Sequence, residues 1–206
     1  MTLDRLEQKL INNKPAGLEK LSDNLVFGEG NPNAQLMIIG EAPGEDEDLS
    51  GRPFVGRAGQ LFDKILESVE INREDIYITN IVKYRPPGNR NPSSEELKIS
   101  EPVLIEQIEI IRPQLIATLG NIPTQFLLKT KIGITKTHGI FVDWRSGIKL
   151  MPIYHPAYLL RNPSREKGKP KWQTWQDMKI LKQAMDNLEP KTGQIVIDNS
   201  EQDGLF

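Results

Sequence analysis

The chain has 206 residues, 37% of them hydrophobic and 26% charged, with a formal net charge of −2; this fits one globular domain with tails and excludes attachment to nucleic acid by bulk positive charge, though not by a local basic patch. It contains no cysteine, which excludes disulfides, thiol nucleophiles and cysteine-ligated clusters, and leaves any zinc site to carboxylates and at most two histidines. No run reaches membrane-spanning length and the N-terminus lacks the charged-then-apolar order of a secretion signal, so the expectation is a cytoplasmic protein without a membrane partner.

Leu3 to Leu10 carries apolar residues at helical spacing and predicts a short amphipathic helix. From Asn12 to Asn33 the chain is polar and broken by Pro15, Gly17, Gly28, Gly30 and Pro32, with Asn24 to Phe27 as a short extended piece. Leu36 to Ile39 is an apolar run without polar alternation, which predicts a buried strand. It ends at Gly40-Glu41-Ala42-Pro43-Gly44, where the glycines allow close approach of a ligand and Pro43 stiffens the loop. The following Glu45-Asp46-Glu47-Asp48 makes a phosphate cradle unsuitable; on spacing alone a solvated acidic turn explains this stretch as well as a ligand loop does.

Gly59 to Val69 predicts a helix with Leu61, Phe62, Ile65 and Leu66 on one stripe. Asp75 to Val82 predicts the second strand, and the prolines, Gly88, Asn89 and Asn91 after it require an irregular loop. Ser93 or Ser94 caps a helix running to about Ile111; Leu115 to Leu119 is a third strand and Pro123 to Lys129 a short helix. Gly139 to Trp144 and Lys149 to Ile153 predict paired strands around Arg145-Ser146-Gly147. Trp172 to Leu188 predicts the last helix, with Trp172 and Trp175 as core anchors. Residues 1–188 are expected to form one domain and residues 189–206, polar apart from Ile195-Val196-Ile197, a flexible tail. Strands alternating with helices predict a parallel-rich sheet covered on both faces.

Several side chains in this layout carry chemistry. His155 follows an apolar strand and precedes a proline, at a junction where an imidazole donates to a developing oxyanion or merely satisfies a loop carbonyl. His138 lies in a Thr-His-Gly turn and reads as structural. Phe54, in a glycine-rich loop, either stacks on a planar ligand or plugs the core. Asn80 offers a donor and an acceptor to a base edge, or caps a turn. Arg161, Arg165, Lys167, Lys169 and Lys171 after Leu159-Leu160 suit either a solvated loop or a segment pressed into a DNA groove.

Four motifs then stand in order: Gly40-Glu41-Ala42-Pro43-Gly44 with Glu47-Asp48, Gly51 to Gly59, Asn80 to Arg90, and His155 to Arg161. Together they closely resemble the family 4 uracil-DNA glycosylases from about Asn24 to about Leu181. The resemblance implies a three-layer α/β/α sandwich on a central, mostly parallel four-stranded sheet, acting as a monomer on uracil-containing DNA. It implies that the enzyme flips the nucleotide out of the duplex and hydrolyses its N-glycosidic bond. By the same resemblance Phe54 stacks on uracil, Asn80 pairs with its N3 and O4 edge, and the backbone of Glu41 and Ala42 meets O2. His155 stabilises charge on O2, Glu41 serves the sugar cation and orients water, and Glu47 supports the site through Asn89. Tyr158, Leu159, Leu160 and Arg161, with Arg165 beyond them, contact DNA and fill the gap left by the flipped base.

One departure is large. Family 4 members hold a [4Fe–4S] cluster on four cysteines, and the flanking motifs put Asn13, Ala16, Tyr84 and Ser100 at those positions. None is a thiolate ligand, so no cofactor is expected, and the four residues are expected to converge with the Tyr84 ring filling the vacated volume. An alternative reading is a protein that recognises uracil or lesions in DNA with little cleavage. A covalent uracil-DNA trapping relative needs a nucleophilic histidine upstream of the middle strand, and His138 and His155 are the only histidines.

Overall fold

A computed structural model describes residues 2–189. Along the chain run α1 (Leu3–Asn12), β1 (Glu29–Gly30), β2 (Leu36–Gly40), α2 (Glu45–Ser50), α3 (Arg57–Glu67) and β3 (Tyr77–Asn80). Then follow α4 (Ser94–Ile111), β4 (Leu115–Leu119), α5 (Asn121–Leu128), α6 (Ile134–Thr137), β5 (Val142–Asp143), β6 (Lys149–Ile153), α7 (Pro156–Arg161) and α8 (Pro170–Asp186).

The strands form one six-stranded sheet in the order β1-β3-β2-β4-β6-β5. Its centre, β3-β2-β4-β6, is parallel throughout, with Ile38 opposite Ile78 and Ala117, and Ala117 opposite Met151. The expected four-stranded sheet is therefore this centre, and the structure adds a two-residue antiparallel strand at each edge. β5 is the short remnant of the pairing expected between Gly139–Trp144 and Lys149–Ile153, whereas β1 was illegible because two residues carry no alternation; it is admitted by Gly30, whose φ is 117° and where a Cβ would lie 2.0 Å from the Ile76 carbonyl oxygen.

Alternate residues of the central strands feed two cores, as a period of two requires. Met37, Ile39, Ile116 and Leu150 pack with Leu104, Ile108 and Ile111 of α4 and Leu127 of α5. Leu36, Ile38, Ala117 and Met151 pack with Phe62 and Leu66 of α3 and Met178 and Leu181 of α8. The result is the expected three-layer α/β/α sandwich. Helix α1 lies outside it, closing Leu6 and Leu10 over Phe27.

Capping explains the long α4: Ser93 Oγ accepts from the Glu96 N–H and Glu96 reaches back to the Ser93 N–H. Three sequence expectations change. The acidic run is the first turn of α2, where four carboxylates suit the positive end of the helix. The segment after His155 is helix α7, with Pro156 at its first position and His155 as its cap. Trp175 is not a core anchor: it is 42% exposed with the Lys179 amine over its ring, while Met178 and Leu181 take the buried stripe. Asn24 to Phe27 forms no strand, although the Val26 N–H reaches the Lys83 carbonyl. Of the expected tail, residues 189–206, only Glu189 is described, its carbonyl accepting from Gln35 Nε2 at 3.1 Å and Gln114 Nε2 at 3.3 Å; the rest, Ile195-Val196-Ile197 included, lies outside the described residues.

Candidate active site

All four central strands deliver a site element at their C-terminal ends, the edge where parallel sheets open a crevice. β2 ends in Gly40 and is followed by Glu41, β3 ends in Asn80, β4 is followed by Gly120, and β6 leads through Tyr154 to His155. A cavity of about 730 Å³ lies there, and Glu41, Ala42, Phe54, Asn80 and His155 all line it.

Gly40 is the pivot. A Cβ built on it would fall 2.2 Å from Asn80 Oδ1 and 2.6 Å from Phe54 Cζ, so the amide and the ring tip meet over its bare Cα. Asn80 is 2% exposed. Behind it, the buried Lys83 amine donates to the Asn80 carbonyl and to Thr79 Oγ1, each at 2.6 Å, and to Gln107 Oε1. Burial among these neutral oxygens drives the Lys83 pKa well down. The amine thus ties the strand end that bears Asn80 to α4, a role the motif did not disclose.

Phe54 has φ 53°, left-handed backbone that a non-glycine residue adopts only when its surroundings enforce it. Its ring lies 5.8 Å from Phe62 and 6.1 Å from the His155 ring, tilted to both. Its carbonyl presses against Gly59, where a Cβ would stand 1.9 Å from the oxygen. Glu47 holds the next turn: Oε1 accepts from the N–H groups of Val55 at 2.9 Å and Gly56 at 2.8 Å, and Oε2 from Gly44 at 3.1 Å. Glu47 was expected to act through Asn89; instead its oxygens organise these two loops. Asn89 Oδ1 accepts from Arg85 Nε at 2.7 Å, and Arg85 also pairs with Glu45. Both Glu47 and Asn89 still line the cavity.

His155 Nδ1 accepts from the Ala157 N–H at 3.1 Å, which leaves the ring proton on Nε2. Burial and, secondarily, the nearby Arg161 lower its pKa to about 4, so it is a neutral donor at physiological pH. Glu41 shows the opposite shift, raised by burial to about 7. A neutral donor, a carboxyl poised to ionise, an amide and an aromatic face around one crevice suit a planar, hydrogen-bonding heterocycle that leaves as an anion.

Residues 27–179 match the profile of the uracil DNA glycosylase superfamily. The chain is 49% identical over 144 residues to a type-4 uracil-DNA glycosylase of Thermotoga maritima, covering 69% of this chain and 75% of that protein. It is 44% identical over 169 residues to a type-4 uracil-DNA glycosylase of Saccharolobus solfataricus, covering 78% of each. A type-5 uracil-DNA glycosylase of Pyrobaculum aerophilum is more distant, at 32% identity over 154 residues, 66% of this chain and 67% of that protein. The chain belongs to the type-4 uracil-DNA glycosylases.

Within this type-4 chain, the residues expected at the DNA separate into two groups. Tyr158 and Arg161 line the cavity and Leu160 is 37% exposed. Leu159, expected beside them, is 1% exposed and packs with Ile134 and Tyr154. It anchors α7, because adjacent residues of one helical turn point in different directions. Arg165 is exposed beyond α7 and outside the cavity lining. His138, read as structural, hydrogen-bonds Asp177 at 2.7 Å and packs against Tyr154. Asn121, Ile122, Ile134 and Thr135 also line the cavity; the sequence signal for that side was Gly120, just after β4.

The residues at the family's cluster positions do not fit an iron–sulfur cluster. Tyr84 is 2% exposed, and its hydroxyl donates to the Leu10 carbonyl at 3.3 Å. The Lys14 amine stands 5.1 Å from the centre of its ring and donates to the carbonyls of Leu21 and Ser22. Asn13 and Ala16 are exposed, Gly17 abuts the Ile99 side chain, and the buried Ser100 hydroxyl is without a hydrogen-bond partner. A carboxamide, a methyl, a phenol and a hydroxyl thus stand where four thiolates would be required, with the Lys14 ammonium beside the phenol. Among the described residues no group of three or more His, Asp or Glu is placed to hold a metal ion, and no helix is long and apolar enough to cross a membrane.

Proposed function

We propose that this chain hydrolyses the N-glycosidic bond of uracil flipped out of DNA and leaves an abasic site, working as a cytoplasmic monomer without a cofactor. The observation that carries the reading is the meeting of Phe54, Asn80 and His155 around one cavity with Glu41 at its edge.

Each residue has a task in that reaction. The Phe54 face receives the uracil ring once the nucleotide has left the stack, a step that opposes binding by a few kcal/mol. The Asn80 carboxamide accepts from N3–H and donates to O4. Cytosine presents the opposite donor and acceptor at both atoms, and leaving buried polar groups mismatched costs about 1–3 kcal/mol each. As the bond to the sugar breaks, electrons move onto uracil and negative charge collects on O2. His155 Nε2–H, neutral already in the free enzyme, donates to O2 there without having to lose a proton first. The sugar becomes cationic, and the ionised Glu41 carboxylate stabilises it and orients the attacking water. Ala42 meets the O2 side through its backbone only. Leu160 fills the space vacated in the duplex, with Tyr158, Arg161 and Arg165 on the flanking backbone.

The test is a cleavage assay on an oligonucleotide with a single uracil, the abasic product being revealed by alkali. The wild-type chain is expected to cleave, with His155→Ala slower by roughly 10²–10³-fold. Asn80→Asp is expected to lose uracil and accept cytosine, whose amino group suits a carboxylate. A retarded band with no abasic product would replace this reading with that of a lesion-recognising DNA-binding protein.

A further inference from the structure

Arg73 lies in the turn before β3, outside the cavity lining, yet its guanidinium ends at the loop that carries Phe54. Nη2 donates to the Pro53 carbonyl at 2.6 Å and to Glu29 Oε1 at 2.8 Å, Nε to the same Oε1 at 3.0 Å, and Nη1 to Asp63 Oδ1 at 2.6 Å. Glu29 is shared with Arg52, which approaches Oε2 at 2.8 Å. Arg73 and Glu29 are both largely covered, with side-chain exposures of 22% and 24%.

The placement matters because of what stands next to Pro53. Two peptide units flank Phe54, and together they set its backbone angles. Arg73 holds the first through the Pro53 carbonyl, and Glu47 holds the second through the Val55 N–H at 2.9 Å. Between them Phe54 is kept at φ 53°, a conformation it would leave if either grip were released. Relaxation to negative φ swings the ring away from Gly40 and Asn80, so the left-handed backbone is what lays the aromatic face along the cavity. The other three hydrogen bonds of Arg73, two to Glu29 Oε1 and one to Asp63 Oδ1, fix the guanidinium, and its fork can make all of them at once where a lysine cannot.

We propose that Arg73 is a positioning residue for uracil recognition, acting only through Phe54. This rests on the reading of Phe54 as the surface that receives the uracil ring. Arg73→Met leaves Glu29 paired with Arg52, so no buried carboxylate is orphaned by the change.

The test measures inhibition by free uracil, affinity for an oligonucleotide already containing an abasic site, and kcat and KM on uracil-containing DNA. It uses Arg73→Met, Arg73→Lys, Phe54→Ala and the Phe54→Ala/Arg73→Met double variant. Arg73→Met is expected to weaken inhibition by uracil roughly tenfold, the scale of one aromatic contact. Its affinity for abasic DNA, which has no base to stack, is expected to change less than about twofold. Arg73→Lys shows the same pattern at smaller size, and supplies the answer if the methionine variant does not fold. On the Phe54→Ala background Arg73→Met is expected to add no more than about twofold. Equal losses for uracil and abasic DNA, or losses that multiply with Phe54→Ala, overturn the proposal. If Phe54→Ala weakens uracil and Arg73→Met does not, the proposal alone fails. If Phe54→Ala leaves uracil inhibition unchanged, the reading of Phe54 fails and takes the proposal with it.

Discussion

Replacing Glu41 by glutamine should make the protein more stable and a poorer enzyme, by amounts that depend on pH. Glu41 is an acid whose folded pKa, about 7, stands above its ordinary 4.5 because burial disfavours the charged form. The folded state therefore binds the proton more tightly than the unfolded chain, and stability falls as pH rises from 4.5 towards 7. At ~1.36 kcal/mol per pKa unit, the difference between 4.5 and about 7 amounts to about 3 kcal/mol once the group is ionised in both states. Glu41 keeps one edge in solvent, and halving for that screening leaves about 1.5 kcal/mol. Glutamine has nearly the shape and no charge to desolvate. At ~2–4 °C per kcal/mol for a chain of this size, Glu41→Gln should melt about 3–6 °C above wild type at pH 8. At pH 5, where the folded carboxyl is still protonated, the gain should shrink to about 1 °C. Thermal melts of both proteins at the two pH values make the comparison. In the same series, wild-type kcat/KM should rise with pH through about 7 as Glu41 ionises, with no limb from His155, which titrates near 4. Glu41→Gln should be flat across that range and slower by roughly 10²-fold or more. A stability gap that does not change with pH would refute the assignment of the raised pKa to burial of Glu41.

Other outcomes follow from single contacts. Gly40→Ala puts a methyl 2.2 Å from Asn80 Oδ1 and 2.6 Å from Phe54 Cζ, so uracil excision should fall by roughly 10²-fold while stability falls by about 1–3 kcal/mol; a variant of undiminished activity would show that the pivot is not needed. Leu159→Ala should destabilise by about 2–5 kcal/mol in urea titration, since it empties a buried position, whereas Leu160→Ala should stay within about 0.5 kcal/mol and lose activity on duplex DNA; the reverse pattern would move the DNA contact to Leu159. Ser100→Ala removes a buried hydroxyl without a partner and should be neutral or stabilising by about 1 kcal/mol in thermal melts; a clear loss would mean that the hydroxyl is engaged.

The candidate site was legible to unequal depth. Glu41, Phe54, Asn80 and His155 stood in ordered motifs, and the cavity gathers all of them. The partners of Glu47 were not legible, because its hydrogen bonds run to Val55 and Gly56, eight and nine residues on, across a loop whose path no local pattern specifies. Leu159 and Leu160 are indistinguishable as residue types, and only the rotation of α7 against Ile134 and Tyr154 sends the first inward. Trp175 failed for a related reason: helical spacing puts it on one stripe with Trp172, Met178 and Leu181, of which Met178 and Leu181 are buried against the sheet while Trp175 stands at its exposed edge, a rotation that spacing does not fix.

By itself the sequence determined the central strands, the longer helices α1, α3, α4 and α8, the absence of thiolate ligands and the residue types at the strand ends. Those properties are local, set by periods of two and 3.6, by glycine and proline, and by side-chain chemistry. Tertiary structure alone decided the left-handed Phe54, the grip of Arg73 on Pro53 and the raised pKa of Glu41. Each depends on groups far apart in the chain closing on one point, and burial and directed hydrogen bonds exist only after they have closed.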